Sequence, residues 1–186
     1  MLERKHAAFR GRLVIVGFGS IGQGVLPLLL RHLEIDPAQM RIITAEPRGR
    51  EVAAEYGVAF DQTALTRDNY RATLDTRLGH GDFLLNLSVE VSSTALIELC
   101  QKKGALYLDT CIEPWPGGYT DPNLPPSARS NYALRESALT LRRRTDSRHQ
   151  SPGEQVRVRR QDRVTLVHMP ASPRADVAPK ASAKEI

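Results

Sequence analysis

Two groups of residues in this chain have the types and spacing to do chemistry. The first is Gly17-Phe18-Gly19-Ser20-Ile21-Gly22, a G-x-G-x-x-G run between an apolar segment and a helix-like one, with Glu46 lying 24 residues past Gly22. That context points to a dinucleotide site. Gly17 permits a tight turn, Gly19 lets the backbone approach a pyrophosphate, and Gly22 allows close packing of helix on strand. The helix opening at Ser20 and Ile21 presents free N–H groups and a positive dipole end to phosphates. Glu46 can accept hydrogen bonds from both adenosine ribose hydroxyls and repels a 2′-phosphate, which favours NAD over NADP, whereas Arg48 and Arg50 nearby pull the other way. A glycine turn with no ligand is the plainer alternative.

The second group lies in Tyr107–Pro122, a short apolar strand that breaks into a loop containing Pro114, Pro116, Pro122, Gly117 and Gly118. Prolines and glycines in such numbers fix the backbone, so Glu113 and Trp115 are held in place. Stiff loops of this kind on a rigid scaffold often carry binding and catalytic groups. For Trp115, packing within a proline-rich loop is an equal alternative. Asn86, Leu87 and Ser88 end another apolar run and are candidates for the nicotinamide-side ribose. Asp109 and Thr110, at the end of the last strand, join the cofactor candidates, with turn and capping roles as the alternative for Asp109.

The elements that must position these groups alternate. Strand-like segments are read at 13–16, 41–45, 58–60, 83–87 and 105–108. Helices are read over 20–33 (apolar face Ile21, Val25, Leu28, Leu29 and Leu33), 48–56 closed by Gly57, 66–78 capped by Thr66, and 93–103 capped by Ser92 or Ser93. This order predicts an α/β fold, a doubly wound parallel sheet of the Rossmann type. The domain is read as residues 1–138, followed by a disordered Arg/Pro/Ser-rich tail over 139–186 with at most a transient hairpin around 156–167.

Composition supports that division. The chain has 186 residues, 41% apolar and 25% charged, and a net charge of +5. Residues 1–138 carry 15 Lys+Arg against 16 Asp+Glu, and residues 139–186 carry 11 against 5, so the excess lies wholly in the tail. All ten aromatic residues fall at or before Tyr132. A neutral domain and a tail without interleaved aromatics argue against nucleic acid as partner, and a solvated tail is the better reading of Arg142–Arg144. The longest apolar stretch, 25–30, is too short to span a bilayer, and the charged N-terminus does not read as a signal peptide. Cys100 and Cys111 are too few for a disulfide scaffold. Cys100 reads as core, and a nucleophilic Cys111 is disfavoured because no histidine lies near it in sequence. The five histidines show no metal-ligand spacing. A cytoplasmic location is expected.

The segments 17–24, 86–93, 109–122 and 127–132 together resemble the bacterial homospermidine synthases, within the wider saccharopine-dehydrogenase-like group. Cys111-Ile112-Glu113-Pro114-Trp115-Pro116-Gly117-Gly118-Tyr119 is the most specific part, and the likeness covers roughly residues 10–140. It implies NAD as a bound, recycled hydride carrier. One putrescine is oxidised to an imine, a second putrescine adds, ammonia leaves, and the hydride returns to give homospermidine. It implies that Glu113 binds a substrate ammonium group, and the loop geometry suits Trp115 to wall the pocket. A homodimer is the assembly it suggests for the full-length family. The family's large second domain has no counterpart after 135–141, so a truncated or frameshifted reading frame is expected, inactive alone. The competing expectations are a non-catalytic NAD-binding remnant, or the cofactor domain of another oxidoreductase of the group.

Overall fold

The computed structural model describes residues 5–148, with side chains described as far as Leu141. Among the described residues seven strands are formed: β1 (Ala7–Ala8), β2 (Leu13–Val16), β3 (Leu33–Glu34), β4 (Met40–Thr44), β5 (Ala59–Gln62), β6 (Phe83–Asn86) and β7 (Leu106–Asp109). The helices are α1 (Ser20–His32), α2 (Arg50–Glu55), α3 (Tyr70–Asp75), α4 (Ser93–Lys103) and α5 (Asn131–Arg148). Five strands make one parallel sheet in the order β5-β4-β2-β6-β7. The order reverses at β2, between β4 and β6, so the crevice outside the carboxyl ends of those strands is where a doubly wound sheet takes a ligand.

Both faces of the sheet are covered, which is why β2 reads Leu-Val-Ile-Val with every residue buried. Val14, Val16, Ile43, Leu84 and Tyr107 pack on one side with Leu74, Leu96, Ile97 and Cys100 of the α3 and α4 region. Leu13, Ile15, Met40, Ile42 and Leu85 pack on the other with Leu26 of α1 and Ala53 of α2. Ser92 caps α4 by accepting from the Ala95 N–H at 3.4 Å, and Gly104 closes it at a φ of +66°.

The elements differ from the sequence reading in four places. On α1 the buried residues are Gly22 and Leu26. Of the face read off the apolar spacing, Val25 and Leu29 pack against the core while Ile21 and Leu28 are more than half exposed, so the face is partly rotated. Nearly every residue from 25 to 30 is apolar, and periodicity alone cannot choose among them. The fit of Gly22 against the preceding turn chooses instead. Leu33 leaves the helix and pairs with Ala7 in a small parallel ladder of β1 and β3. The helix expected over 66–78 is regular only at Tyr70–Asp75. Thr66 caps a turn before it, its hydroxyl accepting from the Asn69 N–H at 3.3 Å and its carbonyl from the Tyr70 N–H at 3.0 Å, while Asn69 Oδ1 accepts from the Thr66 N–H at 2.8 Å. Helix α5 runs on to Arg148, past the expected domain end at 138, with Ala138 fully buried in the core cluster and Leu141 packed against it. The hairpin expected around 156–167 lies outside the described residues.

Candidate functional site

Two glycines of the turn are required by its own packing. Gly17 has a φ of +84°, and a Cβ there would lie 2.7 Å from the Ser88 nitrogen and 2.8 Å from its Cα. The turn therefore abuts the loop after β6 directly, and only glycine permits both the conformation and the approach. At Gly22 a Cβ would meet the Phe18 ring at 2.9 Å and the Gly17 carbonyl oxygen at 3.1 Å. Gly22 thus packs on the turn itself, a tighter version of the helix–strand contact expected from the sequence. Gly19 is different: a Cβ there would meet nothing within 4 Å. No protein packing asks for glycine at this position. A side chain there would fill that open space.

Gly19 is the N-cap of α1, and no side chain caps the helix. Its first turn holds no acidic residue, and Ser20 and Ile21 are exposed. An open helix start with its dipole unopposed suits a pyrophosphate. Glu46, just past β4, is 71% exposed, and borders an open hollow of about 590 Å³ lined also by Gln23, Arg48, Gly49 and Arg50. The two arginines that weigh against NAD are both engaged. The Arg50 guanidinium lies 4.7 Å from the centroid of the Phe60 ring and donates to Gln62 at 3.2 Å, and Arg48 stands 3.8 Å from Glu46.

At the other side of the crevice the polar groups bond to one another. The Ser88 hydroxyl donates to Asn86 Oδ1 at 2.6 Å, and the Ser88 N–H donates to the same oxygen at 3.2 Å. Asn86 Nδ2 donates to the Tyr107 hydroxyl at 3.4 Å, which donates to Asp109 Oδ2 at 2.9 Å. Asn86 and Tyr107 are each 1% exposed. Burial, then the negative charge of Asp109, pushes the Tyr107 phenol well above its ordinary range, so it stays a neutral donor. The Leu87 N–H donates to the Val16 carbonyl at 2.7 Å, which ties the loop to β2. The next residues, Val89 and Glu90, project outward: Val89 is 73% exposed and Glu90 takes a φ of +60°, the one positive φ outside glycine among the described residues. Sequence reasoning singled out Asn86, Ser88 and Asp109 but missed Tyr107, whose signal is its place two residues before Asp109 on the same strand face.

The second candidate group is held as firmly as its composition suggests. Glu113 exchanges two bonds with Ser93 at the start of α4. Its N–H donates to Ser93 Oγ at 3.0 Å, and its carbonyl accepts from the Ser93 N–H at 2.9 Å. The Glu113 carboxylate lies 3.4 Å from Cys111 Sγ as an acceptor. Burial, reinforced by Glu113, raises the Cys111 thiol pKa, which keeps it protonated and opposes a nucleophilic role. Trp115 packs at 5.2 Å on the buried Tyr70 and against the α3–α4 core, so the ring anchors the loop. Thr110 is exposed beside Asp109 at the end of β7. Among the described residues no three His, Cys, Asp or Glu side chains cluster as a metal site.

Residues 13–149 match the family model for the saccharopine dehydrogenase NADP binding domain. The chain belongs to that family. Two homospermidine synthases are similar to it. The one from Blastochloris viridis is 50% identical over 136 residues, 72% of this chain and 28% of its own length, and that of Mesorhizobium japonicum is 41% identical over 151 residues, 80% and 30%. The chain spans less than a third of either. A solved homospermidine synthase of Legionella pneumophila, in complex with NAD, is 40% identical and superposes with a TM-score of 0.63 over 73% of this chain and 27% of that one. Family membership accounts for the glycine turn and the parallel sheet. The saccharopine dehydrogenase family model names NADP, and the sequence candidate for the ribose, Glu46, is an exposed carboxylate.

Proposed function

We propose that this chain is the cofactor-holding part of an NAD-dependent homospermidine synthase. The observation that carries the reading is Gly19, a glycine that no packing requires, at the uncapped start of α1. Gly17, Gly19, Ser20, Ile21 and Gly22 would hold the pyrophosphate, and Glu46 the adenosine ribose. Ser88, Asp109 and Thr110 stand on the nicotinamide side, with Asn86 and Leu87 fixing the loop there. When bound, the cofactor supplies a hydride acceptor that is regenerated within one turnover. Glu113, whose backbone is held by Ser93, binds an ammonium end of putrescine or a related polyamine through charge-assisted hydrogen bonds. Trp115 contributes by holding the loop against Tyr70.

The reading includes a chain that is inactive alone, because what it matches is less than a third of the length of either relative. It is read as cytoplasmic, and among its described residues no helix is long and apolar enough to cross a membrane. Purified chain incubated with putrescine and NAD is expected to yield no homospermidine while still binding NAD. Clear turnover would contradict the first part, and absence of NAD binding the second. A frameshifted or truncated frame remains part of this proposal, motivated by the loss of aromatics and the charge jump after residue 138. Nucleotide sequence downstream of that codon tests it. A continuous in-frame gene across the point supports a frameshift artefact, and a stable cellular product bearing the tail opposes it.

A further inference from the structure

The buried chain of bonds from Ser88 to Asp109 has no role in holding the sheet that an apolar pair could not fill. Parallel strands β6 and β7 are already bonded along their length, in register from Phe83 with Leu106 to Asn86 with Asp109. A phenol and an amide, each 1% exposed, are costly core residues unless their bonds are made, and here they are made to groups at the crevice. The Tyr107 hydroxyl also has a hydrogen bond with Ser93, and along the chain from Ser88 to Asp109 the donors run one way. Ser88 donates to Asn86, Asn86 to Tyr107, and Tyr107 to Asp109. That direction fixes the Asn86 amide with its oxygen on the Ser88 side. The same Ser88 presents the backbone that lies against Gly17. The network thus links the loop beside the phosphate turn to the carboxylate at the end of β7.

We propose that Tyr107 is a positioning residue: its hydroxyl sets the Ser88 loop and the Asp109 carboxylate for the nicotinamide half of the cofactor, without touching the adenosine half. The inference rests on the cofactor reading above, so the test separates the two halves. ADP carries the adenosine and pyrophosphate, and NAD adds the nicotinamide riboside. The full 186-residue chain and its Tyr107→Phe variant are titrated calorimetrically with both. Loss of one hydroxyl from the network is expected to weaken NAD about five- to tenfold while ADP affinity changes less than about twofold. Ser88→Ala, at the partly exposed end of the network, is expected to show the same split more weakly, and Ser88→Thr to restore it.

Equal losses for ADP and NAD, or unchanged NAD binding in a folded Tyr107→Phe chain, would overturn the proposal. Should Tyr107→Phe fail to fold, the Ser88 pair decides: no NAD-specific loss in Ser88→Ala counts against it. Wild-type chain that binds ADP but gains nothing from the nicotinamide half also counts against it while leaving the phosphate turn intact. Wild-type chain that binds neither removes the cofactor reading and this inference together.

Discussion

The two ends of one sheet are built from the same strands and do opposite things. At the amino ends, charges are paired off. Asp82, with its side chain 8% exposed, accepts from the Arg12 backbone N–H at 2.7 Å, from Arg12 Nε at 2.9 Å and from the Gly79 N–H at 2.7 Å. Asp61, the third residue of β5, receives Arg41 at 2.8 Å and Arg77 at 3.0 Å. A hollow of about 370 Å³ opens there, but the three arginines that line it are each tied to one of these carboxylates. At the carboxyl ends the start of α1 is uncapped, Gly19 faces open space, and Glu46 is largely exposed. One end is complete within the protein. The other has polar groups arranged for something outside it.

That contrast can be broken from either side. The largest effect is expected for Asp82→Ala, which strands the Arg12 and Gly79 donors and should lower stability in urea by about 2–4 kcal/mol. The nucleotide affinity of the remaining folded chain should hold. Gly17→Ala forces a Cβ into the Ser88 backbone at a φ of +84°. It should cost about 2 kcal/mol of stability and also abolish detectable NAD binding. Gly19→Ala isolates the binding function. With an ordinary φ of −73° and no neighbour within 4 Å, it should change stability by less than about 1 kcal/mol. NAD affinity should nonetheless fall about tenfold or more, read by calorimetry beside a denaturation curve.

Glu46→Gln sharpens the ribose assignment with a smaller effect. It should weaken NAD severalfold and narrow its advantage over NADP, with no change in unfolding midpoint. The least perturbing test is thiol labelling of the native chain near neutral pH. Both thiols are raised, Cys100 by burial up to about 12, but only Cys111 is exposed to a labelling reagent. Cys111 should react alone until the chain unfolds, and simultaneous labelling of both would mean a looser α4 core. The sign of the accompanying pH effect follows from the raised folded value. Stability contributed by Cys100 is complete below the unfolded pKa of 9.0 and declines as pH rises toward about 12.

The parts of the molecule legible in its sequence are those fixed by local rules. Short apolar runs marked the five central strands, and the glycine spacing marked the turn after the first of them. The alternation of strand and helix then left the parallel order as the natural topology. The partly rotated face of α1 was not legible, because an almost unbroken apolar run offers several equivalent stripes and Gly22 settles the choice only in three dimensions. The division of labour at Ser92 and Ser93 was half legible. Both are helix-start residues, but only the fold shows Ser92 capping and Ser93 gripping Glu113. The Tyr107 network was illegible for a plain reason: Asn86 and Tyr107 are 21 residues apart and meet only because β6 and β7 are neighbours.

The central claim is that the open carboxyl end of this sheet holds NAD. Its most direct test is calorimetric titration of the purified 186-residue chain with NAD and, separately, NADP. The account predicts saturable binding of one NAD per chain, with NADP weaker because its 2′-phosphate meets Glu46. No saturable binding of NAD, or a preference for NADP, would contradict it.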